Sequence, residues 1–171
     1  NISDNNLANL ISKNIEKIKG PTYIRLDKGN LEYNSKVNYN IEKGFALIHS
    51  ANNKKILIIT TGYFCKLAKN VSSSFQNVSV LNLFKFKNFD KKNFLNTVKK
   101  YKKIIIYDEN SKYGGIVSIL SNLFIERKVN LNIKILASKD AQSFFYSQNR
   151  DSMLKKLKIN EEKLIEIIKQ L

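Results

Sequence analysis

The chain is poor in nearly every residue type that marks covalent or metal chemistry. Cys65 is the one cysteine among 171 residues, so an internal disulfide and a cysteine-based metal cluster are both excluded. His49 is the one histidine, which removes histidine-pair metal sites and most acid–base dyads. There is no tryptophan, a single proline and only six glycines. Where glycine and proline are this scarce, each marks a required turn. No apolar run approaches the roughly 18–20 residues that span a bilayer, and residues 1–20 lack the basic start, apolar stretch and small-residue site of a secretory signal. The first residue is Asn1 and not Met, so further sequence upstream is expected. A reducing, cytoplasmic setting is the expectation from cysteine usage.

What is abundant is positive charge. The formal net charge is +16, with thirty Lys and Arg against fourteen Asp and Glu, a balance that invites phosphate binding. Three features argue against a specific nucleic-acid reader. Arg25, Arg127 and Arg150 are the only arginines, although the guanidinium fork is the preferred tool for phosphate and base edges. The lysines are spread through every segment. They also accompany an equally general excess of asparagine, so a compositional bias with a solvated basic surface is expected. With 43% hydrophobic residues, the chain has the composition of a folded domain and not of a disordered one.

The glycines divide the chain into elements. Residues 4–18 read as a helix capped by Asp4, with Leu7, Leu10, Ile11, Ile15 and Ile18 on one stripe. Gly20-Pro21 stops it, and Thr22–Leu26 has strand composition. One helix and one strand cannot bury a core, so residues 1–30 must dock on something else. After a polar, Asn-rich crossing at 31–43, Gly44 opens a regular alternation. Strands are expected at 45–49, 55–61, 78–84, 103–107 and 131–136. Helices are expected after Gly62, from about Asp90, after Gly115, and from an Asn160 cap. Ile56–Ile59 is apolar at every position, as in a central strand covered on both faces. The order predicts an α/β domain with a mostly parallel sheet between helical layers. The short first strand and the 50–54 turn predict one antiparallel hairpin edge.

Candidate chemistry is sparse. Gly62 at a strand-to-helix turn is placed to cradle a phosphate. Yet Thr-Thr-Gly-Tyr-Phe-Cys (60–65) lacks the further glycines of a dinucleotide fingerprint and the Gly-Lys-Ser/Thr of a phosphate loop, so a tight turn is the simpler reading. Asp108 and Glu109 end a strand, where ligand sites of open α/β sheets lie. Neighbouring strand residues face opposite ways, so capping the next helix or meeting a partner domain is expected of them. Cys65 reads as a small core residue, and His49 as structural or surface. Arg25, near the end of the 22–26 segment, and Lys28, just after it, are the cations placed to take an anionic substrate group or to pair at the surface.

Together the segments resemble the carboxyl-terminal part of the transketolase family, whose members use thiamine diphosphate. Gly-Pro-Thr-Tyr-Ile-Arg-Leu-Asp-Lys-Gly (20–29) resembles the closing strand of that family's pyrimidine-binding domain, Gly-Pro-Val-Tyr-Ile-Arg-Leu followed by a basic residue. Gly44-Phe-Ala and Ile56–Gly62 match the start of its third domain, and Lys87-Asn88-Phe89-Asp90 resembles its Lys-Pro-Leu-Asp with Asn88 in place of proline. Asp108-Glu109-Asn110, Gly114-Gly115 and Ser118 resemble Glu-Glu-Asn…Gly-Gly-x-Gly-Ser, with Val117 where glycine is common. Asp140 with Phe144 is similar to a late Asp-x-Phe region.

The resemblance implies a five-stranded mixed sheet between helices over 44–171, a linker at 31–43, and the tail of a preceding domain at 1–30. It implies part of an enzyme that transfers a two-carbon ketol unit between phosphorylated or nucleotide-linked sugars, working as a homodimer with its remaining domains. Deoxyxylulose-phosphate synthase is the alternative within the family. A non-catalytic binding domain is the alternative outside it. In the family the diphosphate and its Mg2+ bind through Gly-Asp-Gly…Asn in a first domain. The activating glutamate and catalytic histidines lie in a second. None of these matches a residue here, so neither catalytic residues nor cofactor ligands are expected on this chain alone. What carries over is substrate binding: Lys28 stands where a basic residue holds the sugar phosphate, and Arg25 matches the motif arginine.

Overall fold

The protein was analysed as a computed structural model that describes residues 1–29, 37–138 and 149–171. The Asp140 and Phe144 motif lies outside them, as does part of the 31–43 crossing. The elements are α1 (Asn5–Asn14), β1 (Phe45–His49), β2 (Ile56–Thr60), α2 (Phe64–Ser72), β3 (Val78–Leu83), α3 (Lys91–Val98), β4 (Lys103–Ser111), α4 (Ile116–Glu126), β5 (Asn132–Ser138), α5 (Arg150–Lys156) and α6 (Glu161–Lys169).

The strands form one five-stranded sheet in the order β1-β3-β2-β4-β5. β2 sits at the centre because Ile56–Thr60 is buried along its whole length, and it pairs in parallel with both β3 and β4. β5 continues the parallel set beyond β4. One face carries Leu57, Ile59, Leu81, Leu83, Ile104 and Ile106 against α3 and α4. The other carries Ile56, Ile58, Val78, Val80, Ile105 and Tyr107 against α2, α5 and α6. The period-two alternation of a sheet covered on both sides is thus read directly from the apolar runs.

Three expectations need correction. β1 is the antiparallel edge, but its partner is β3 (Phe45 opposite Leu83) and not β2. No hairpin forms across 50–54, since both edges of β2 are taken by longer parallel ladders. The segment 22–26 is no strand: no ladder includes it, and Tyr23 is 89% and Leu26 63% exposed. Strand composition alone does not supply a neighbour to bond. Asn160 does occupy the N-cap position of α6, but its side chain makes no capping bond and donates instead to Glu162.

α1 is shorter than its stripe. Asp4 caps it, accepting from the Leu7 backbone nitrogen at 2.9 Å, but a 3-10 turn at Ile15–Lys17 rotates Ile15 outward. The helix packs with Val37, Tyr39, Ala46 and Phe84 in a third apolar cluster over β1 and β3. Part of the crossing before Gly44 is therefore core and not a bare linker.

Candidate functional site

Because β2 to β5 are parallel, all four present their carboxyl ends at one pole of the domain. The chain runs from β2 to β3 on one side and then returns to β4 on the other, so the strand order reverses between β2 and β4. Crevices at such a switch point are where open α/β sheets bind ligands.

In this protein the crevice is crossed by the chain's own first 29 residues. The Asn1 backbone nitrogen donates to the Phe84 carbonyl at the end of β3 (2.8 Å). The Asn1 side chain lies against Gly62, where an added Cβ would come within 2.7 Å of it; Gly62 itself has φ +58°. The Ile2 nitrogen donates to the Arg25 carbonyl (3.0 Å), joining the two stretches of the covering segment. Arg25 then reaches the end of β4, pairing with Glu109 at 2.6 Å and donating to Asn110 at 3.1 Å. Asp27 pairs with Arg150 at 2.6 Å, and the Arg150 guanidinium stacks 4.1 Å from the ring centre of Tyr63. The turn at Gly62 is thus a docking point for this segment.

Beneath the covering segment is a buried polar cluster. Asn82 donates to Ser3 (2.7 Å), Ser3 donates to Asp4 (3.2 Å), and Tyr39 donates its hydroxyl to the same Asp4 carboxylate. Burial and the Asp4 charge push the Tyr39 phenol far above its ordinary range, so it remains a donor. Cys65 is fully buried, and loss of solvent raises its thiol well above the usual value. It is a core residue without nucleophilic character. His49 is half-exposed on β1, where desolvation lowers its pKa below the ordinary value and Lys69 adds to the effect.

Asp108 and Glu109 divide their roles. Asp108 is fully buried. Its Oδ2 accepts the Ile116 nitrogen at the start of α4 (3.0 Å), and its Oδ1 accepts both the backbone and side-chain nitrogens of Asn110. It caps the helix, one of the two roles expected of the pair. Gly115 is needed beside it: a Cβ there would stand 2.5 Å from Asp108 Oδ2. Glu109 turns outward to Arg25. Burial raises its carboxyl above the ordinary value despite the neighbouring guanidinium.

Of the two expected substrate cations, Arg25 is engaged with Glu109, whereas Lys28 is exposed and makes no ion pair among the described residues. Sequence reasoning missed Arg150 and Tyr63. The available signal was arginine scarcity: of three arginines among thirty basic residues, two form ion pairs at this pole. The donor set for a metal diphosphate does not assemble here. Among the described residues no three His, Cys, Asp or Glu come together, and Asp27, Asp108 and Glu109 are each committed to N–H groups or a guanidinium. Two open depressions, of about 300 and 350 Å³, lie between α5 and α6 and beside β1, away from the switch point. No described helix is long and apolar enough to cross a membrane.

Comparison with known proteins agrees with this architecture. The family described as "Transketolase, C-terminal domain" matches residues 44–164. The 1-deoxy-D-xylulose-5-phosphate synthase of Alkaliphilus oremlandii (strain OhILAs) is 24% identical over 161 residues, covering 90% of this chain and 25% of that protein. The chain thus spans about a quarter of the curated relative's length. Among solved structures, a split-gene transketolase, an inactive β4 tetramer, superposes with a TM-score of 0.82 at 15% identity, covering 98% of this chain and 55% of that one. A transketolase from Leishmania mexicana superposes at 0.56 with 13% identity, covering 77% of this chain and 18% of its own. The match over 44–164, on a five-stranded mixed sheet, shows that the chain belongs to the transketolase C-terminal domain family.

Proposed function

We propose that this chain is the carboxyl-terminal portion of a transketolase-type enzyme that uses thiamine diphosphate to move a two-carbon ketol unit between sugars. The observation that carries the reading is the family match over 44–164. In this reading residues 1–30 are the tail of the pyrimidine-binding domain, 31–43 the linker and 44–171 the third domain. The exposed, apolar Tyr23 and Leu26 support that assignment, since an extended segment of strand composition without a ladder suits the edge of a sheet supplied from elsewhere. The cofactor, when bound, supplies the carbon nucleophile, and its ligands and activating glutamate come from the other domains. This chain contributes the fold, a surface for a second copy and the Lys28 ammonium, which meets the phosphate of a phosphorylated sugar as a point charge.

The test is reconstitution. The chain alone is expected to show no ketol transfer. Mixed with the polypeptide that carries the Gly-Asp-Gly…Asn motif and the activating glutamate, it is expected to transfer between a ketose phosphate and an aldose phosphate. Ketol transfer by the chain alone, or tight thiamine diphosphate binding by it, would overturn the reading.

The curated relative favours a second reading within the family, as part of a 1-deoxy-D-xylulose-5-phosphate synthase. Residues 25–29, Arg-Leu-Asp-Lys-Gly, keep the basic spacing of that enzyme's Arg-Tyr-Pro-Arg-Gly but not its proline. Mass analysis of the reconstituted enzyme's product, 1-deoxy-D-xylulose 5-phosphate or a two-carbon-extended sugar phosphate, separates the two.

A further inference from the structure

Two ion pairs fasten residues 25–29 to different elements, and Lys28 stands at their far end. Arg25 holds the start of the stretch to β4 through Glu109. The turn that carries Lys28 is held by Asp27, which makes two bonds at once. Its Oδ1 accepts the Gly29 nitrogen at 2.9 Å, closing the turn with Lys28 at its tip. Its Oδ2 accepts from Arg150 at 2.6 Å. The Asp27 side chain is only 10% exposed as a result.

Arg150 in turn is fixed by Tyr63, in the turn between β2 and α2, whose ring lies 4.1 Å beneath its guanidinium. A planar guanidinium offers one face to the ring and its edge to the carboxylate together, which a lysine ammonium does not. One side chain thus joins α5, the β2–α2 turn and the covering segment. Without it, Arg25 is the remaining side-chain anchor of this stretch among the described residues, and the 27–29 turn loosens about that point.

We infer that Arg150 is a positioning residue: through Asp27 it fixes the 27–29 turn and so directs the Lys28 ammonium at the phosphate of an anionic substrate. This inference rests on the reading of Lys28 given above.

Two measurements test it. In the isolated chain, amide exchange at Gly29 reports the turn itself, independently of any ligand. Arg150→Ala is expected to speed that exchange by about tenfold or more, with the exchange of β2 and β4 unchanged and the thermal midpoint lowered only slightly, as for the loss of one half-exposed ion pair. Arg150→Lys, which keeps the charge but not the stacked fork, is expected to behave like Arg150→Ala. Unchanged Gly29 exchange in Arg150→Ala overturns the inference, and so does full rescue by lysine.

In the reconstituted enzyme, Lys28→Ala and Arg150→Ala are each expected to raise KM for the phosphorylated substrate about fivefold or more with kcat kept. The double variant is expected to be no worse than Lys28→Ala, because both act through one ammonium. A KM effect of Lys28→Ala without one of Arg150→Ala overturns the positioning role and leaves the Lys28 reading standing. Loss of neither overturns the Lys28 reading, and the directed role of Arg150 falls with it even where the turn loosens.

Discussion

The two poles of the sheet differ in how their charges are arranged, paired at one and unpaired at the other. At the carboxyl pole, Arg25, Asp27, Glu109 and Arg150 are paired across elements, and Asp108 is buried against the N–H groups of Ile116 and Asn110. At the amino pole, the loops entering β2, β4 and β5 carry Lys54, Lys55, Lys99, Lys100, Lys102, Lys103, Arg127 and Lys128, with Glu126 as the nearby acid. None of these cations forms an ion pair among the described residues. What holds the amino pole is backbone: the Lys102 and Lys103 nitrogens both donate to the Lys55 carbonyl, and the Lys55 nitrogen donates to Asn77. The helices α2, α3 and α4 end at this pole, and their dipoles account for about −1.5 charges in all. That offsets only a small part of the lysines. Net charge here reflects composition, whereas at the carboxyl pole Arg25, Asp27, Glu109 and Arg150 each have a partner and a geometry.

The comparison is broken most severely at Asp108. Asp108→Ala strips acceptors from Ile116 and Asn110 inside the fold and is expected to cost about 3 kcal/mol, a lost cap plus buried unpaired donors. Urea denaturation measures it, and a loss below about 1 kcal/mol would show that water replaces the carboxylate. Gly115→Ala drives a methyl to within 2.5 Å of the same oxygen and is expected to fall in the same range.

The cluster under the covering segment comes next. Tyr39→Phe keeps the ring, which packs edge-on to Phe84 with centres 5.6 Å apart, but removes the donor to Asp4. A loss of about 1–2 kcal/mol is expected. The effect should vanish in the Asp4→Ala background, which removes the acceptor, if the hydroxyl acts only through that carboxylate, a double-mutant cycle that checks the assignment.

Most of the sheet was legible in the sequence, because its rule is local. Ile56–Ile59 and Ile104–Tyr107 are apolar at every position and are buried at every position. Asp4 and Asp90 cap the helices that they precede. The carboxyl-pole arrangement was only half legible. Capping α4 was one of the two roles expected of the Asp108–Glu109 pair, but which of the two would cap was not readable from the sequence. Arg25 to Glu109 spans 84 residues and Arg150 to Asp27 spans 123, and no local pattern announces a pair at such separation. The 22–26 segment failed for the same reason in reverse: strand composition is local, but a ladder needs a neighbour.

A smaller effect separates the two carboxylates paired with arginine at this pole, Asp27 on the covering segment and Glu109 on β4. Desolvation works against Asp27's charge, but the Arg150 bond, the Gly29 N–H and both guanidinium charges outweigh it and hold the carboxyl below its ordinary 3.8. Its contribution to stability is therefore full above that value and is lost as pH falls through the lowered folded value. Glu109 has the opposite sign. Its raised carboxyl contributes stability that is present below the ordinary 4.5 and is lost as pH rises through the folded value. Asp27→Asn is expected to flatten the acid limb of a stability–pH curve below about pH 4, and Glu109→Gln the slope just above it. Coincident limbs in both variants would show that the two pairs titrate as one group.

The smallest effect should come from the amino pole, and its sign is what matters. Lys102→Glu places an acid beside Lys55, Lys100 and Lys103 without disturbing the backbone bond to the Lys55 carbonyl. If this pole is repulsive surplus, the substitution raises the thermal midpoint slightly at low salt. The gain then fades as the screening length shrinks from about 10 Å at 0.1 M to about 3 Å at 1 M. If Lys102 instead offsets the carbonyls at the end of α3, the midpoint falls, since an acid beside a helix C-terminus is unfavourable. The same charge reversal at the carboxyl pole, Arg150→Glu, sets two carboxylates against each other at Asp27 and lowers stability. A lowered midpoint at both poles would mean that the lysines, like the arginines, are placed and not merely numerous.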